Sequence, residues 1–277
     1  MNSETLRVSA IQLQSQEDVP RNLAECVRLV SAASAQGAEL VVLPENFAYF
    51  GAEEGKRASA ERLGDLNAPI QRALSALARS AGVFLVAGGF PELSADAARP
   101  FNTALVFGPD GVLVDAYQKI HLFDVELQDG TSLSESAATA AGPSDRLVCF
   151  DIGRFRLGVS ICYDLRFPEL YRGLVAHGAN VLLVPAAFTA HTGKDHWHPL
   201  LRARAIESQA YVVAAAQWGK HPRGRATYGH SLVVDPWGTV IADASDQVGF
   251  VSATLDLAYL ERVRAAIPCL DHRRIRP

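Results

Sequence analysis

The stretch Gly158-Val-Ser-Ile-Cys162-Tyr-Asp-Leu-Arg-Phe-Pro-Glu169 is an apolar strand that ends at a cysteine shortly before a helix begins. We expect a strand over residues 155–162 and a helix over residues 168–177, with Gly178 as its stop. A turn from strand to helix projects a side chain out of the sheet. The backbone amides that follow, and their dipole, favour a thiolate and a developing oxyanion. Cys162 is therefore a candidate nucleophile.

A buried structural thiol is the competing interpretation of Cys162, because cysteine is often a small buried hydrophobe. That interpretation suits the other cysteines better: Cys26 lies on the apolar face of a predicted helix, Cys149 in a strand-like run and Cys269 near the C-terminus. Ser160 resembles the start of a serine-hydrolase elbow, but Cys162 occupies the position of the second glycine. We expect Ser160 to be structural.

The same order of strand, helix and strand extends outward from this stretch in both halves of the chain. Apolar periodicity predicts a first half with strands at 6–13, 39–43, 83–87, 102–107 and 112–117 and helices at 22–35 and 68–81. It predicts a second half with strands at 155–162, 181–185, 212–216, 231–234 and 239–242 and helices at 168–177 and 195–209.

No linker rich in Pro, Gly or Ser interrupts this series. We therefore expect an α/β fold made of two similar halves within one domain over residues 1–277, with helices outside and strand layers inside. The least regular stretch covers residues 124–145. A loop of that length in a compact domain is usually functional or disordered.

Two charged residues also follow predicted strands. Glu45 comes just after one apolar strand, in Leu-Pro-Glu-Asn-Phe, and Lys119 just after another, in Tyr-Gln-Lys-Ile-His. Either could be an ordinary loop charge. Together with Cys162, however, they lie just beyond the C-terminal ends of strands, which is where open α/β sheets assemble their sites. The three residues are predicted to share a site.

Histidine is the usual partner of a catalytic cysteine, and the chain has eight histidines. His191, His196 and His198 are close in sequence and could suggest a metal site. Residues at positions i and i+2 diverge on a helix, however, so His196 and His198 should point apart. We expect no metal site.

The combination of Pro44-Glu45, Lys119 and the run that begins at Cys162 resembles the Glu-Lys-Cys signature of the nitrilase superfamily of carbon-nitrogen hydrolases. The order and the spacing match. The resemblance covers nearly the whole chain, through residues 8–12, 196–197, 201–207, 228–231, 235–238 and 272–274.

The resemblance implies a four-layer αββα sandwich that pairs into larger assemblies and uses no metal or organic cofactor. It implies that Glu45 takes the thiol proton while Cys162 attacks an amide carbon, which leaves a thioester that water hydrolyses. Lys119 and the backbone amide of Tyr163 would hold the tetrahedral oxyanion. A further carboxylate of the family falls on Glu135, an assignment that rests on spacing.

Within the superfamily the chain is most similar to the Nit-type amidases, especially those that cleave deaminated glutathione into 2-oxoglutarate and cysteinylglycine. An ω-amidase acting on 2-oxoglutaramate or 2-oxosuccinamate is the alternative. Both kinds of substrate are anionic, so Arg166, close after the nucleophile, is a candidate carboxylate ligand. An internal ion pair of Arg166 with Glu169 or Asp164 is equally compatible with the sequence. Phe188 and Thr189, which follow the next strand, are candidates for binding the cysteinylglycine portion.

Other reactions use the same three residues. A true nitrilase commonly has a Trp-Glu pair after its cysteine, whereas Tyr and Asp follow Cys162 here, which favours an amide. A carbamoylase also stays open. A non-catalytic binding role would be indicated by a missing member of the triad, and Glu45, Lys119 and Cys162 are all present.

Composition excludes several classes of partner. A net charge of -4 and a pI near 6.1 give no electrostatic reason to expect a nucleic acid. No apolar run approaches the length of a membrane span, and the N-terminus lacks the pattern of a secretory signal. Four cysteines without close-paired spacing suit a reducing compartment. We expect a cytoplasmic enzyme with a small-molecule amide substrate, and the resemblance implies a homodimer or higher homo-oligomer.

Overall fold

The computed structural model describes residues 4–126 and 132–275. The helices are α1 (Val19–Ala35), α2 (Glu53–Ala58), α3 (Pro69–Ala81), α4 (Pro168–Ala176), α5 (Ala190–Ser208) and α6 (Leu257–Ala266). The strands are β1 (Thr5–Gln12), β2 (Leu40–Leu43), β3 (Phe84–Glu92), β4 (Phe101–Phe107), β5 (Leu113–Gln118), β6 (Asp124–Glu126), β7 (Ser132–Ser134), β8 (Cys149–Ile152), β9 (Phe155–Val159), β10 (Val181–Ala186), β11 (Tyr211–Ala216), β12 (Trp218–Lys220), β13 (Ala226–Tyr228), β14 (Leu232–Val234), β15 (Val240–Asp243) and β16 (Gly249–Asp256).

Two six-stranded sheets form the centre of the molecule. The first has the order β16-β1-β2-β3-β4-β5 and the second the order β15-β14-β11-β10-β9-β8. In the first sheet β1, β2 and β3 run parallel, and in the second β9, β10 and β11 do so, while the flanking strands are antiparallel. The hairpins β6-β7 and β12-β13 lie outside both sheets.

The two halves of the chain repeat one pattern. The series β1-α1-β2-α3-β3-β4-β5 corresponds in order and strand direction to β9-α4-β10-α5-β11-β14-β15. Helices α1 and α3 cover the first sheet, and α4 and α5 cover the second. The expected αββα sandwich of two similar halves is confirmed.

Alternation along the strands of the first sheet divides its apolar side chains between two cores. Val8 and Val42 belong to the core between the sheets, whereas Val41 and Leu43 belong to the core beneath α1 and α3. A strand buried on both faces reads as a continuous apolar run, which explains why Leu40–Leu43 was recognisable. Each such side chain contributes about 1.5–3 kcal/mol when it is fully buried.

The element boundaries differ from the sequence prediction where capping decides them. Helix α1 begins at Val19 because the side chain of Asp18 accepts a hydrogen bond from the amide of Arg21 and Pro20 fits the first turn. Helix α5 begins at Ala190 behind a Thr189 cap, ahead of the predicted start at residue 195. The described part of the irregular stretch 124–145 includes β6, β7 and a short 3₁₀ turn, and residues 127–131 of that stretch lie outside the described residues.

The chain direction places several strand ends at one edge. Strand β5 is antiparallel to β4, which is antiparallel to β3, so β5 ends at the same edge as β2. Leu13, which follows β1, pairs in parallel with Gln217, which follows β11, so both sheets present their parallel carboxyl ends at this edge. In the described part of the chain, no helix is both long and apolar enough to cross a membrane.

Candidate active site

Cys162 lies just after β9, at the start of the 3₁₀ turn Cys162–Arg166. Its backbone is in the left-handed region, with a φ of 48°, a conformation that is rare for a residue with a side chain. Asp164 stabilises the turn, because its Oδ2 accepts a 2.9 Å hydrogen bond from the amide of Ile161. The thiol lines a cavity, although only 8% of the residue is exposed.

Glu45, Lys119 and Glu135 form an ion-paired cluster at the same cavity. Nζ of Lys119 lies 3.0 Å from Oε1 of Glu45 and 2.8 Å from Oε2 of Glu135. Glu45 follows β2, Lys119 follows β5, and Glu135 begins the 3₁₀ turn Glu135–Ala137 behind β7. Lys119 is only 1% exposed, so its two carboxylate partners compensate a buried charge. The structure thus brings all four predicted residues, including Cys162, to one cavity.

Asn102 connects the two carboxylates and was not predicted from the sequence. Its side-chain Nδ2 donates to Oε1 of Glu45 at 2.8 Å and to Oε1 of Glu135 at 3.1 Å. The amide of Phe123 donates a further hydrogen bond of 2.7 Å to Oε2 of Glu135. These donors fix the orientation of both carboxylates around Lys119. Asn102 lies in β4, where the sequence indicates only a strand.

Gly89 allows the loop that carries Glu45 to pack closely against β3. An added Cβ at Gly89 would lie 2.7 Å from Cγ of Glu45 and 2.5 Å from the amide nitrogen of Asn46. The backbone of Gly89 is also left-handed, with a φ of 74°, which glycine adopts without strain. A larger residue here would displace Glu45.

The surroundings of Cys162 favour the neutral thiol over the thiolate. Burial raises its pKa well above the usual value, and the charge of Glu45 raises it further, while Lys119 and the amide of Ala187 act in the opposite direction. The sequence-based expectation that a helix dipole favours the thiolate stays a prediction. The turn after Cys162 is a short 3₁₀ segment, and burial of the thiol has the largest effect on its pKa, followed by the charge of Glu45.

The electrostatics of Lys119 and Glu135 reinforce each other. Burial alone would lower the pKa of Lys119, but the charges of Glu135 and Glu45 raise it well above its usual value. Burial of Glu135 is likewise opposed by Lys119 and Lys56, which hold the pKa of Glu135 below its usual value. Lys119 is therefore an ammonium group, and a charged donor of this kind can stabilise a developing oxyanion.

The cavity has a volume of about 710 Å³, within the range of small-molecule sites. Four cationic and three carboxylate side chains line it among the described residues, although the whole chain carries a net charge of -4. The charged lining residues are Lys56, Lys119, Arg223, Arg225, Glu45, Glu53 and Glu135.

Thr189 is the member of the predicted substrate-binding set that lines the cavity. Phe188 does not line it. Phe188 is 6% exposed and packs against Trp197, with 4.9 Å between ring centroids. Successive residues of an extended segment point in opposite directions. Thr189 therefore faces the cavity while Phe188 faces the core.

Arg166 and Tyr163 also lie off the cavity wall. The guanidinium carbon of Arg166 is 5.2 Å from the ring centroid of Phe188 and 5.9 Å from that of Tyr163. Its Nη1 is 3.3 Å from Nδ1 of His196. The geometry supports neither the predicted carboxylate ligand nor, among the described residues, an ion pair with Asp164 or Glu169. The role of the Tyr163 backbone amide stays a prediction.

Three cationic residues at the cavity were missed at the sequence level. Lys56 comes from α2, which buries no residue and so shows no apolar periodicity. Arg223 and Arg225 come from the turn between β12 and β13. The sequence contained only a weak indication of their role, because Lys56 is a single lysine in the segment after Glu45 and the two arginines lie in a segment between predicted strands.

A family model described as carbon-nitrogen hydrolase matches residues 7–265 of the chain. The chain belongs to the carbon-nitrogen hydrolase family. It is a hydrolase of carbon-nitrogen bonds other than peptide bonds. The resemblance inferred from the Glu-Lys-Cys signature is confirmed at the level of the family.

Relatives of this carbon-nitrogen hydrolase match it over nearly its full length. A deaminated glutathione amidase from Synechocystis sp. is 45% identical over 266 residues, which cover 96% of this chain and 97% of the relative. The crystal structure of the Caenorhabditis elegans NitFhit protein matches with a TM-score of 0.91 and 39% identity, over 99% of this chain and 66% of that one. Saccharomyces cerevisiae Nit3, a member of branch 10 of the nitrilase superfamily, matches with a TM-score of 0.86 and 31% identity, over 99% and 98% of the two chains.

The histidines of this hydrolase diverge, as their spacing predicts. His191 lines the cavity, His196 contacts Arg166, and Nε2 of His198 lies 2.8 Å from Oδ2 of Asp243. His198 forms a different group, with His230 and Asp243, whose ligand atoms lie within 4.8 Å of one another. That group is hydrogen bonded internally, since Nδ1 of His230 is 3.0 Å from Oδ1 of Asp243.

Proposed function

We propose that this hydrolase is an amidase that cleaves deaminated glutathione into 2-oxoglutarate and cysteinylglycine through a thioester on Cys162. The relative from Synechocystis sp. carries the name of that activity at 45% identity. The observation that carries the proposal is the cavity. It holds a cysteine, a carboxylate and an ammonium group together, and it carries more cationic than anionic side chains in an acidic protein.

In the proposed reaction Glu45 accepts the thiol proton of Cys162 as sulfur attacks the amide carbon. Lys119 donates to the oxyanion of the tetrahedral intermediate. Donors of this kind are commonly worth about 3–4 kcal/mol in rate. Glu45 then gives its proton to the departing amine, the carbon-nitrogen bond breaks, and a thioester remains.

Hydrolysis of the thioester reverses these roles. Glu45 takes a proton from water, the hydroxide oxygen attacks the acyl carbon, and Lys119 again holds the oxyanion. Collapse of this intermediate expels the thiolate of Cys162, which regains its proton from Glu45. Glu135 acts on Lys119, because its two carboxylate oxygens at 2.8 Å and 3.1 Å orient the ammonium group.

The size and charge of the cavity favour the larger substrate over the ω-amidase alternative. Deaminated glutathione carries a carboxylate at each end, whereas 2-oxoglutaramate carries one and releases only ammonia. A volume of about 710 Å³ accommodates the longer molecule. Arg223 would be unused by the smaller one.

The decisive experiment compares turnover of deaminated glutathione, 2-oxoglutaramate, an N-carbamoyl amino acid and an aliphatic nitrile. We expect the highest kcat/KM for deaminated glutathione, and mass spectrometry of a rapidly quenched reaction should find a 2-oxoglutaryl group on the peptide that contains Cys162. A higher kcat/KM for 2-oxoglutaramate would place the protein with the ω-amidases. Turnover of the nitrile alone would refute the amidase proposal.

We also propose a homo-oligomer and a cytoplasmic location. Ile206 on α5 is 49% exposed and Trp237 is 55% exposed, and Gly238, which follows Trp237, packs against the side chain of Ile206. Large apolar side chains that stay exposed near one another in the fold favour self-association. The four free thiols favour a reducing compartment. Sedimentation velocity of the protein, with an Ile206→Glu variant as comparison, tests the first proposal.

A further inference from the structure

Lys56 lies at the cavity and takes no part in the proposed chemistry. Its Nζ donates a 2.6 Å hydrogen bond to Oγ1 of Thr139, which also lines the cavity. Among the described residues no carboxylate lies within ion-pairing distance of Nζ. Helix α2 holds the lysine in this position by packing its Gly55 against the hydroxyl of Tyr49, where an added side chain would collide.

The position of Lys56 is close to the reacting groups. It shares the cavity wall with Cys162, Lys119 and Glu135. Burial lowers the pKa of Lys56 below its usual value, and the charges of Glu135, Glu53 and Glu45 oppose this only in part. A half-buried ammonium group without an ion-pair partner is the type of group that gains most from an anionic ligand, because the ligand replaces lost hydration. Lys119 cannot serve in this way, since its ammonium group is already paired with two carboxylates.

Arg223 provides a second cation from a segment that is distant from Lys56 in sequence. It lies in the turn between β12 and β13 with a left-handed backbone, at a φ of 61°. His221 anchors this turn: its amide bonds to the carbonyl of Arg225, its Nδ1 lies 2.9 Å from the carbonyl of Ser15, and its ring stacks on Phe50 at 4.1 Å. A strained conformation maintained by such contacts is a common property of ligand-binding turns.

The neighbouring Arg225 is already engaged. Its Nη2 lies 3.5 Å from Oε1 of Glu53, and its guanidinium carbon lies 5.8 Å from the ring centroid of Phe50. Arg223, by contrast, has no carboxylate within ion-pairing distance among the described residues. Its charge acts on Tyr49, which lies on the cavity wall together with Glu53. Lys56 and Arg223 therefore reach the same cavity wall from two segments that are distant in sequence, α2 and the turn between β12 and β13.

We propose that Lys56 binds the carboxylate of the acyl portion of the substrate and that Arg223 binds the terminal carboxylate of the leaving portion. The inference rests on the proposed function, because it assigns the two ends of a dianionic amide to two separate cations. The amide carbon then lies between them at Cys162. An amide with one carboxylate uses Lys56 alone, so the two residues affect the two substrate classes differently.

The first experiment measures kcat and KM of Lys56→Met for 2-oxoglutaramate and for its methyl ester, which is neutral at the same position. We expect KM for the acid to rise at least about tenfold, with a smaller change in kcat, because ground state and transition state share the carboxylate contact. KM for the ester should hardly change. Lys56→Arg should restore part of the affinity, and Lys194→Met, at an exposed lysine away from the cavity, is the matched control.

The second experiment measures Arg223→Met with deaminated glutathione and with its glycinamide derivative, which lacks the terminal carboxylate. We expect KM for the dianion to rise about fivefold or more and KM for the glycinamide to stay within twofold of the wild type. Equal changes for both substrates would overturn the assignment of Arg223. Equal changes for acid and ester in Lys56→Met would overturn that of Lys56.

A binding measurement separates failure of this inference from failure of the proposed function. Calorimetric titration with 2-oxoglutarate, the acyl product, needs no turnover. Lys56→Met should weaken its Kd at least about tenfold relative to Lys194→Met. An unchanged Kd would refute the inference even if deaminated glutathione is the substrate. A weakened Kd would support the role of Lys56 even if the wild type does not cleave deaminated glutathione.

Discussion

The hydroxyl of Tyr117 donates a 2.8 Å hydrogen bond to Oδ2 of Asp164, a residue without exposed surface. Oδ1 of the same carboxylate lies 3.2 Å from the amide nitrogen and 2.7 Å from Nδ1 of His121. Tyr117 precedes Lys119 by two residues and His121 follows it by two, while Asp164 belongs to the turn of Cys162. The carboxylate of Asp164 therefore fixes the segment that carries Lys119 relative to Cys162.

This connection predicts that Asp164→Asn impairs both folding stability and catalysis. The amide group of asparagine would face two donors that now meet carboxylate oxygens, and each buried unsatisfied group costs about 1–3 kcal/mol. Urea unfolding should show that loss, and kcat should fall in the folded variant. Tyr117→Phe removes a single hydrogen bond and should cost only about 1 kcal/mol. A fully active, equally stable Asp164→Asn variant would contradict the positioning role.

Cys162→Ala should abolish turnover and leave the fold intact, because the thiol is the proposed covalent nucleophile. Cys26→Ala provides the comparison, since Cys26 is also buried but lies on α1 in the core beneath the first sheet. It should remain active after a modest loss of stability. Steady-state assays with circular dichroism distinguish the two effects. Similar losses of activity in both variants would mean that the wrong thiol has been assigned.

Glu45→Gln and Lys119→Met should each lower kcat by at least about a hundredfold, as expected for loss of a general base or an oxyanion donor. Their effects on stability should differ. Glutamine keeps the shape of Glu45 and can still accept from Asn102. Methionine at position 119 leaves two carboxylates around an uncharged side chain, which typically costs about 3–5 kcal/mol. Thermal unfolding measured beside kcat tests the pair, and near-wild-type kcat in either folded variant would remove that residue from the mechanism.

The strand ends were predictable because their signal is local. Buried strands such as Leu40–Leu43 can be recognised from their continuous apolar composition, and a polar residue just after each strand indicates the edge of the sheet. Glu45, Lys119 and Cys162 could therefore be grouped before their contacts were known. Strand β16 was missed because its residues are only partly buried and its partner β1 lies at the opposite end of the chain.

The lining of the cavity could not be read in the same way. Lys56 is in a helix of six residues without a buried face, and Arg223 is in a turn, so neither has a periodic pattern that indicates where it points. Arg166 shows the converse error. Its nearness to Cys162 in sequence suggested nearness to the substrate, yet the 3₁₀ turn directs it toward Phe188 and His196. Cavities join residues from distant segments, and sequence separation carries little information about them.

Metal removal should leave activity unchanged, because the proposed reaction uses only the thiol, the carboxylates and the ammonium group. His198, His230 and Asp243 are arranged so that they could hold a metal ion, so a variant that lacks His198 is the control. Prolonged dialysis against a strong chelator followed by assay, in the wild type and in His198→Ala, gives the measurement. Lost activity that zinc restores in the wild type would show that this mechanism is incomplete.

Glu135 should make the stability of the protein depend on acid pH. Its buried carboxylate has a folded-state pKa held below the usual value by Lys119 and Lys56, against the opposing effect of burial. The unfolded state therefore takes up the proton first, so the stabilisation is full above about pH 4.3, the ordinary pKa of glutamate, and is lost as pH falls below it.

Glu135→Gln lacks this titration. The difference in unfolding free energy between wild type and variant, measured in urea from pH 7 to pH 3, should shrink on the acid side. Glu54→Gln removes a carboxylate whose side chain is 76% exposed and should follow the wild-type curve. A difference between wild type and Glu135→Gln that stays constant over this range would mean that Lys119 and Lys56 do not stabilise the charged form of Glu135.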